Sequence, residues 1–217
     1  MRAGKYRRVQ QHGFLKRLCV SIAIPTVLAL VVSSCTNAKT RESNDIDPDS
    51  LIVSVEDVEQ ISNFQGFTPD GYVKKEQPTP LDPSAPAACQ IVFNQGMIFG
   101  ADPKAFRSVV YSGKTGGYVK GVNQIVQSVA VYSEAATAQS TFDHLKPELA
   151  KCSDAHIKNY EFTLTQPNSS TIFLDSKYWK AAYRVKSTVL ASTSSTGFQH
   201  PELVTQGVLD AMTERVN

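Results

Sequence analysis

The 217-residue sequence lacks the motifs of the common hydrolases and of thiol-based metal sites. It contains no G-x-S-x-G nucleophile elbow, no H-E-x-x-H zinc motif and no C-x-x-C pair. Gly113-Lys114-Thr115 is similar to the end of a P-loop, but Ser108 stands where the first glycine of that motif is required. The sequence therefore predicts no catalytic constellation, no metal site and no cofactor.

Acidic residues are absent from the first 34 positions, where six basic residues stand: Arg2, Lys5, Arg7, Arg8, Lys16 and Arg17. Removing these six from the 22 Lys and Arg leaves 16 against 20 Asp and Glu, so the rest of the chain has a net charge of −4. A mildly acidic domain has no electrostatic attraction to a phosphate backbone. Nucleic acid is therefore excluded as a partner.

The hydrophobic run from Leu18 to Val32 is too short for a permanent membrane span. It covers 15 residues, whereas a spanning helix requires about 20 apolar residues. A basic segment followed by such a run is typical of a secretory signal peptide. The run ends in Val32-Ser33-Ser34-Cys35, which resembles the bacterial lipobox. We expect residues 1–34 to be removed and Cys35 to receive diacylglycerol; an uncleaved signal anchor is the alternative.

Lipid on Cys35 would hold an exported protein on the outer face of a membrane. Each buried methylene of an acyl chain such as palmitate contributes about 0.8 kcal/mol to membrane binding, so two or three chains anchor firmly. Residues 36–50 contain almost no apolar side chain, and residues 35–50 are therefore expected to form a lipidated, flexible tether. The folded domain is expected to cover residues 51–217.

Cysteine is scarce, since the sequence contains four. Cys19 would leave with the signal peptide and Cys35 would carry the lipid, so Cys89 and Cys152 remain. In an oxidising compartment we expect these two to form a disulfide; two separate buried thiols are the alternative. His156 has the spacing of a metal ligand relative to Cys152, but a disulfide-bonded cysteine cannot bind zinc.

Hydrophobic periodicity predicts an α+β domain with a mainly antiparallel sheet flanked by helices. Helices are expected at residues 54–61 and 87–99, from Ser133 and from Pro201, with Ser54 and Ser133 as caps. Strands are expected at residues 106–111, 124–132, 160–165 and 179–186. Pro147 should kink or end the third helix. Five prolines between Thr68 and Pro86 predict a long surface loop.

Four segments together resemble the extracellular sensor domain of the mycobacterial serine/threonine kinase H (PknH-like) family, which also occurs in stand-alone mycobacterial lipoproteins. They are PAAC at 86–89, QSVAVYS at 127–133, LAKC at 149–152 and the late strand AYRVKSTV at 182–189. The resemblance implies an α+β domain with a broad cleft for an unidentified extracellular ligand. Family members usually carry a second cysteine pair near the late strand, which this chain lacks.

The strand from Tyr178 to Val189 is predicted to form one wall of that cleft. Its alternation places apolar side chains, Trp179 among them, on one face and Lys180, Arg184 and Lys186 on the reverse, which would attract anions. Aromatic walls with a few polar groups are typical of ligand sites. The candidate cleft residues are Trp179, Tyr178, Tyr183 and Arg184; packing of Trp179 in the core is the alternative.

Three functions are compatible with these features. The sequence favours a non-enzymatic binding or sensor module of the cell envelope, with an unknown small-molecule or envelope ligand. The second is an envelope hydrolase or transferase with a site built from scattered residues, which two titratable groups close together in a cleft would indicate. The third is an accessory lipoprotein that binds a membrane protein, which a large exposed apolar patch would indicate.

Overall fold

A seven-stranded antiparallel sheet organises the computed structural model of the chain, which describes residues 45–68, 73–116 and 121–217. The strands are β1 (Val73–Lys75), β2 (Ala105–Lys114), β3 (Val122–Val131), β4 (Thr163–Asn168), β5 (Thr171–Asp175), β6 (Trp179–Lys186) and β7 (Val189–Thr196). Their spatial order is β1-β2-β3-β7-β6-β5-β4. The fold is therefore α+β with an antiparallel sheet, as the periodicity predicts.

Helices cover both faces of this sheet. They are α1 (Val55–Ser62), α2 (Gln90–Phe93), α3 (Gln95–Phe99), α4 (Ala135–Asp154) and α5 (Pro201–Glu214). One core forms between the sheet and α2, α3 and α4, and it contains Phe99, Phe142 and Leu149. The other forms beneath α1 and α5 and contains Val58 and Val208. Each side chain of the sheet therefore points either to the face that α4 covers, called the α4 face, or to the face that α5 covers, called the α5 face.

The signal peptide, Cys35 and most of the predicted tether lie outside the described residues. Across the ranges that the structure does describe, no helix is both long enough and apolar enough to cross a bilayer.

The segment just before α1 packs against the α5 face of the sheet. Leu51 and Val53 are fully buried, and the Gln127 amide accepts from Val53 N at 2.9 Å and donates to Val53 O at 3.1 Å. Asp49 lies 2.7 Å from Arg107 Nε. Burial opposes ionisation of Asp49, but hydrogen bonds from Lys74 and Arg107 outweigh it and lower its pKa. The folded domain thus begins several residues before Leu51.

A disulfide joins Cys89 to Cys152, as the sequence predicts, with the Cα atoms 4.6 Å apart. Cys89 ends a 3-10 turn, Ala87–Cys89, immediately before α2, and Cys152 lies in the last turn of α4. Both side chains are buried in the core on the α4 face. The bond therefore fixes the start of α2 to the end of α4.

Two of the predicted helix starts are confirmed, and the predictions for the other helices are wrong in part. Ser54 caps α1 by accepting from Asp57 N, and Pro201 begins α5. The expected helix at 87–99 is broken at Asn94, whose extended backbone and side chain cap α3 instead. Glu134 rather than Ser133 precedes α4. Pro147 lies inside α4 without ending it, because Leu145, Leu149 and Cys152 keep one face buried on both sides of the proline.

The strands β2, β3 and β6 lie where the sequence predicts strands, whereas the other four described strands differ from the prediction. The predicted late strand through Val189 is a hairpin, because Ser187 has a left-handed backbone (φ 54°) and the chain returns as β7. The sequence did not predict β5 or β7. The strand expected at 160–165 begins only at Thr163, and the proline-rich loop contains the short β1.

Gln127→Leu should destabilise the full chain by about 2–4 kcal/mol, because it leaves Val53 N and O buried without partners. Gln127 itself is 0% exposed, so water cannot replace the amide. Urea unfolding measures the loss. Gln124→Leu on the same strand, at a half-buried position, is the matched control, and an equal loss in both variants would contradict the assignment.

Candidate ligand-binding groove

The α4 face of the sheet is only partly covered by helices. Toward Ala130 and Leu190 the side chains are buried under α4, but toward the opposite strand ends they are half-buried. We call this strip, together with Trp179 at its side, the groove. Its floor consists of seven uncharged side chains: Val110, Ser112, Gln124, Val126, Ser192, Ser194 and Thr196.

Register explains how three strands bring these residues together. Val126 pairs with both Val110 and Ser194, and Gln124 pairs with both Ser112 and Thr196. Directly opposed residues in antiparallel strands point to the same face, so each set forms a row across the sheet. Trp179 pairs with Thr196 and extends the second row.

Most floor residues keep hydrogen-bonding groups available. Gln124 Nε2 donates to Ser112 Oγ at 3.0 Å, and Thr196 Oγ1 donates to the backbone oxygen of Tyr178 at 2.9 Å. The hydroxyls of Ser192 and Ser194 make no hydrogen bond to any described residue. A hydroxyl both donates and accepts, so these two groups are free to pair with a ligand in either sense.

The helix pair α2–α3 closes one end of the groove. Gln95 of α3 is 1% exposed, and its Nε2 donates to Ser108 Oγ at 2.7 Å and to Ser128 Oγ at 2.8 Å. Under this amide lies a cavity of about 30 Å³ that Val126, Ser192 and Ser194 also line. Such a volume holds about one water molecule, so the closed end is small and polar.

Trp179 forms the aromatic side of the groove. Its ring is half-buried and contacts Phe93 at a centroid distance of 5.6 Å and Phe162 at 5.8 Å. Both neighbours approach with their rings tilted or edge-on, a favourable arrangement for aromatic pairs. Phe93 belongs to α2, so Trp179 links the groove to the helix that follows the disulfide.

The structure separates the four predicted cleft residues. Tyr183 is buried and lines the small cavity; burial raises the pKa of its hydroxyl far above the usual value, so it stays neutral. Tyr178 is 61% exposed and lines a different pocket of about 580 Å³. Arg184 lies on the α5 face. Of the four residues, only Trp179 and Tyr183 therefore adjoin the groove.

The reverse of β6 does not present free cations as the sequence predicts. Arg184 Nη1 lies 2.6 Å from Asp210 Oδ1 of α5, Lys186 donates to the carbonyl oxygen of Thr213 at 3.0 Å, and Lys180 pairs with Asp175. These cations hold α5 and the β5–β6 turn in place. The partners of Arg184 and Lys186 lie on α5, more than 20 residues away in sequence, which explains why the pattern of the strand alone suggested an anion-attracting surface.

Several titratable side chains line the pocket beside Tyr178. His156, Lys158, Glu161 and Asp175 line it. Asp175 is paired with Lys180, and Glu161 accepts from the backbone N–H of Asn159 at 2.8 Å. Both carboxylates are therefore engaged. In the ranges that the structure describes, no cluster of three or more potential metal ligands occurs.

The comparisons with known proteins agree with this architecture. The model of the PknH-like extracellular domain family matches residues 44–215. Among solved structures, the fold is similar to that of the extracellular domain of PknH from Mycobacterium tuberculosis, with a TM-score of 0.56 and 14% sequence identity over 77% of this chain and 93% of that chain. A search of curated proteins finds no match. The chain belongs to the family of PknH-like extracellular domains.

Proposed function

We propose that the chain is a lipid-anchored, non-enzymatic, sensor-like extracellular protein whose groove binds a neutral polyhydroxylated molecule such as an oligosaccharide. The observation that carries this proposal is the pair of hydroxyls on Ser192 and Ser194, which make no hydrogen bond to a described residue and lie half-buried where the groove reaches its closed end. The family match supports an extracellular domain. The Val32-Ser33-Ser34-Cys35 box supports the lipid anchor.

The ligand class follows from the chemistry of the floor. All seven floor side chains are uncharged, so the groove offers no compensation for the desolvation of a charged ligand. Serine, threonine and glutamine side chains both donate and accept, which matches the hydroxyl groups of a sugar. The indole of Trp179 provides a flat apolar surface for the C–H face of a sugar ring.

A binding role fits the groove better than an enzymatic one. General acid–base catalysis needs titratable groups within hydrogen-bond reach of the reacting atoms. The floor contains none, and Tyr183 at its closed end stays protonated. The pocket beside Tyr178 has carboxylates, but these are occupied by Lys180 and a backbone N–H. The groove therefore has the groups to hold a ligand and lacks the groups to transform it.

Trp179 fluorescence tests the proposal directly, since Trp179 is the single tryptophan of the chain. The full chain in lipid nanodiscs would be titrated with maltohexaose and cellohexaose, and with hexagalacturonate as the charged comparison. We expect a saturable change with at least one neutral hexaose. Replacing Ser192 and Ser194 together by Ala should weaken binding about tenfold, the effect of losing one or two hydrogen bonds.

Ser169→Ala, on the exposed turn between β4 and β5, is the matched hydroxyl deletion and should leave the affinity unchanged. Tighter binding of hexagalacturonate, or equal affinities for the double variant and the original chain, would overturn the assignment of the groove.

A further inference from the structure

A second concavity lies on the α5 face of the sheet, opposite the groove. It has a volume of about 490 Å³ and lies between the end of α1, the end of β2, the start of β3 and the start of α5. Ile61, Phe64, Phe198 and Leu203 form its apolar walls. This volume is within the range of small-molecule sites, which are mostly apolar with a few fixed polar groups.

Asn123 is the polar group that distinguishes this pocket. It is 4% exposed, and its amide makes no hydrogen bond to any described residue. The oxygen Oδ1 is sealed from solvent and lies against Gly197, where a Cβ would come within 2.7 Å of it. Buried amides without partners are rare. The amide nitrogen is thus the part of Asn123 available to a ligand.

Gly197 fixes this arrangement through its backbone. Its φ of +86° is a left-handed conformation, and a Cβ there would lie 2.1 Å from the carbonyl oxygen of Val122. Only glycine allows the chain to pass so close to β3. The turn into α5 therefore holds Asn123 against the pocket instead of letting it rotate into solvent.

The start of α5 borders the same pocket. His200 precedes the helix without a side-chain cap, and the first-turn N–H of Leu203 has no described partner. The partial positive charge of this helix end is already offset by Glu202, whose carboxylate lies 3.6 Å from His200 Nδ1. Among the described residues that line the pocket, none is Lys or Arg. The site therefore suits an uncharged acceptor better than an anion.

We infer that this pocket is a second binding site, for a small uncharged molecule with an apolar body and a carbonyl acceptor, with Asn123 donating to that carbonyl. The apolar body would lie against the rings of Phe64 and Phe198, which contact each other edge-on at a centroid distance of 6.0 Å and line the pocket together. The site is independent of the groove, because the two lie on opposite faces of the sheet.

Hexanamide is a suitable probe, with hexanoate as its charged analogue. Saturation-transfer NMR on the full chain in nanodiscs, with empty nanodiscs subtracted, measures their affinities. We expect hexanamide to bind and hexanoate to bind more weakly. Asn123→Asp replaces the donor by a carboxylate of the same shape and should weaken hexanamide about tenfold, whereas replacing Ser192 and Ser194 by Ala should change nothing.

A second readout keeps the inference testable if the Asn123 variant unfolds. In the unaltered protein labelled with ¹⁵N-asparagine, hexanamide should shift the side-chain NH₂ signal of Asn123 and leave that of Asn168, on the β4–β5 turn, in place. Three results would each overturn the inference: no binding of hexanamide, an unchanged affinity of Asn123→Asp for hexanamide, or equal affinities of the original chain for hexanamide and hexanoate.

Discussion

Replacing Cys89 and Cys152 together by Ala should lower the free energy of unfolding of the full chain by about 4 kcal/mol. The reason is loop closure, because the bond spans a sequence separation of 63 residues and its removal returns that conformational freedom to the unfolded chain. Domains of this size are stable by only about 5–15 kcal/mol. Loss of the disulfide should therefore leave a marginally stable protein.

The bond also supports the groove. Cys89 comes directly before α2, and Phe93 of α2 contacts the ring of Trp179. Without the disulfide, α2 keeps its apolar contacts but loses its covalent link to α4. The emission of Trp179 should therefore become more accessible to acrylamide in the double variant under conditions where the protein is still folded.

Urea unfolding followed at Trp179 measures the first effect, and acrylamide quenching measures the second. Reduction of the original protein with dithiothreitol should reproduce both. Replacing Cys89 by Ala and Cys152 by Val restores buried volume and separates the cross-link from simple packing. An unchanged unfolding midpoint in all of these would show that the bond contributes nothing to stability.

Local patterns predicted the elements whose stability comes from nearby residues. Ser54 caps α1 and Pro201 begins α5, as predicted. A side-chain cap and the fixed φ of proline both act within a single helical turn, so the local sequence is enough to recognise them. The alternation in β6 placed Ala181 and Tyr183 on one face and Arg184 on the other, and in the structure these are the α4 face and the α5 face. These predictions needed no knowledge of distant partners.

The strand β7 escaped prediction for a reason that bears on function. Its positions facing the α5 helix are buried but include Thr193 and Ser195, and the opposite face carries half-buried hydroxyls at Ser192, Ser194 and Thr196. A strand that is polar on both faces in mid-sheet lacks the apolar alternation by which strands are recognised. Three of these polar residues also belong to the floor of the groove.

Long-range pairs account for the other differences. The polar residues before Leu51 suggested a solvated tether, but Asp47 caps a 3-10 turn and Asp49 pairs with Arg107. Arg184 suggested a free cation, but Asp210 of α5 neutralises it. A charge has the same appearance in sequence whether it faces water or a partner fifty residues away, so only the fold distinguishes the two.

Cys35→Ala should abolish attachment of lipid and block removal of residues 1–34. The expectation rests on the sequence, since Cys35 lies outside the described residues. In the proposed lipidation the thiol of Cys35 accepts the diacylglycerol, and alanine offers no nucleophile in its place. Because acyl chains contribute about 0.8 kcal/mol per buried methylene, the lipid dominates membrane attachment of a protein whose signal segment has been removed.

Metabolic labelling with an alkyne fatty acid, followed by mass measurement of the N-terminus, checks this expectation. The original protein should carry label and begin at Cys35, whereas the variant should be unlabelled and keep its basic N-terminal segment. Cys19→Ala, within the hydrophobic run, removes a thiol that the lipobox does not use and should be labelled as the original is. An uncleaved signal anchor gives a different result, namely a full-length, unlabelled original protein in the membrane. Label that persists in Cys35→Ala, or disappears in Cys19→Ala, would show that lipid is attached elsewhere.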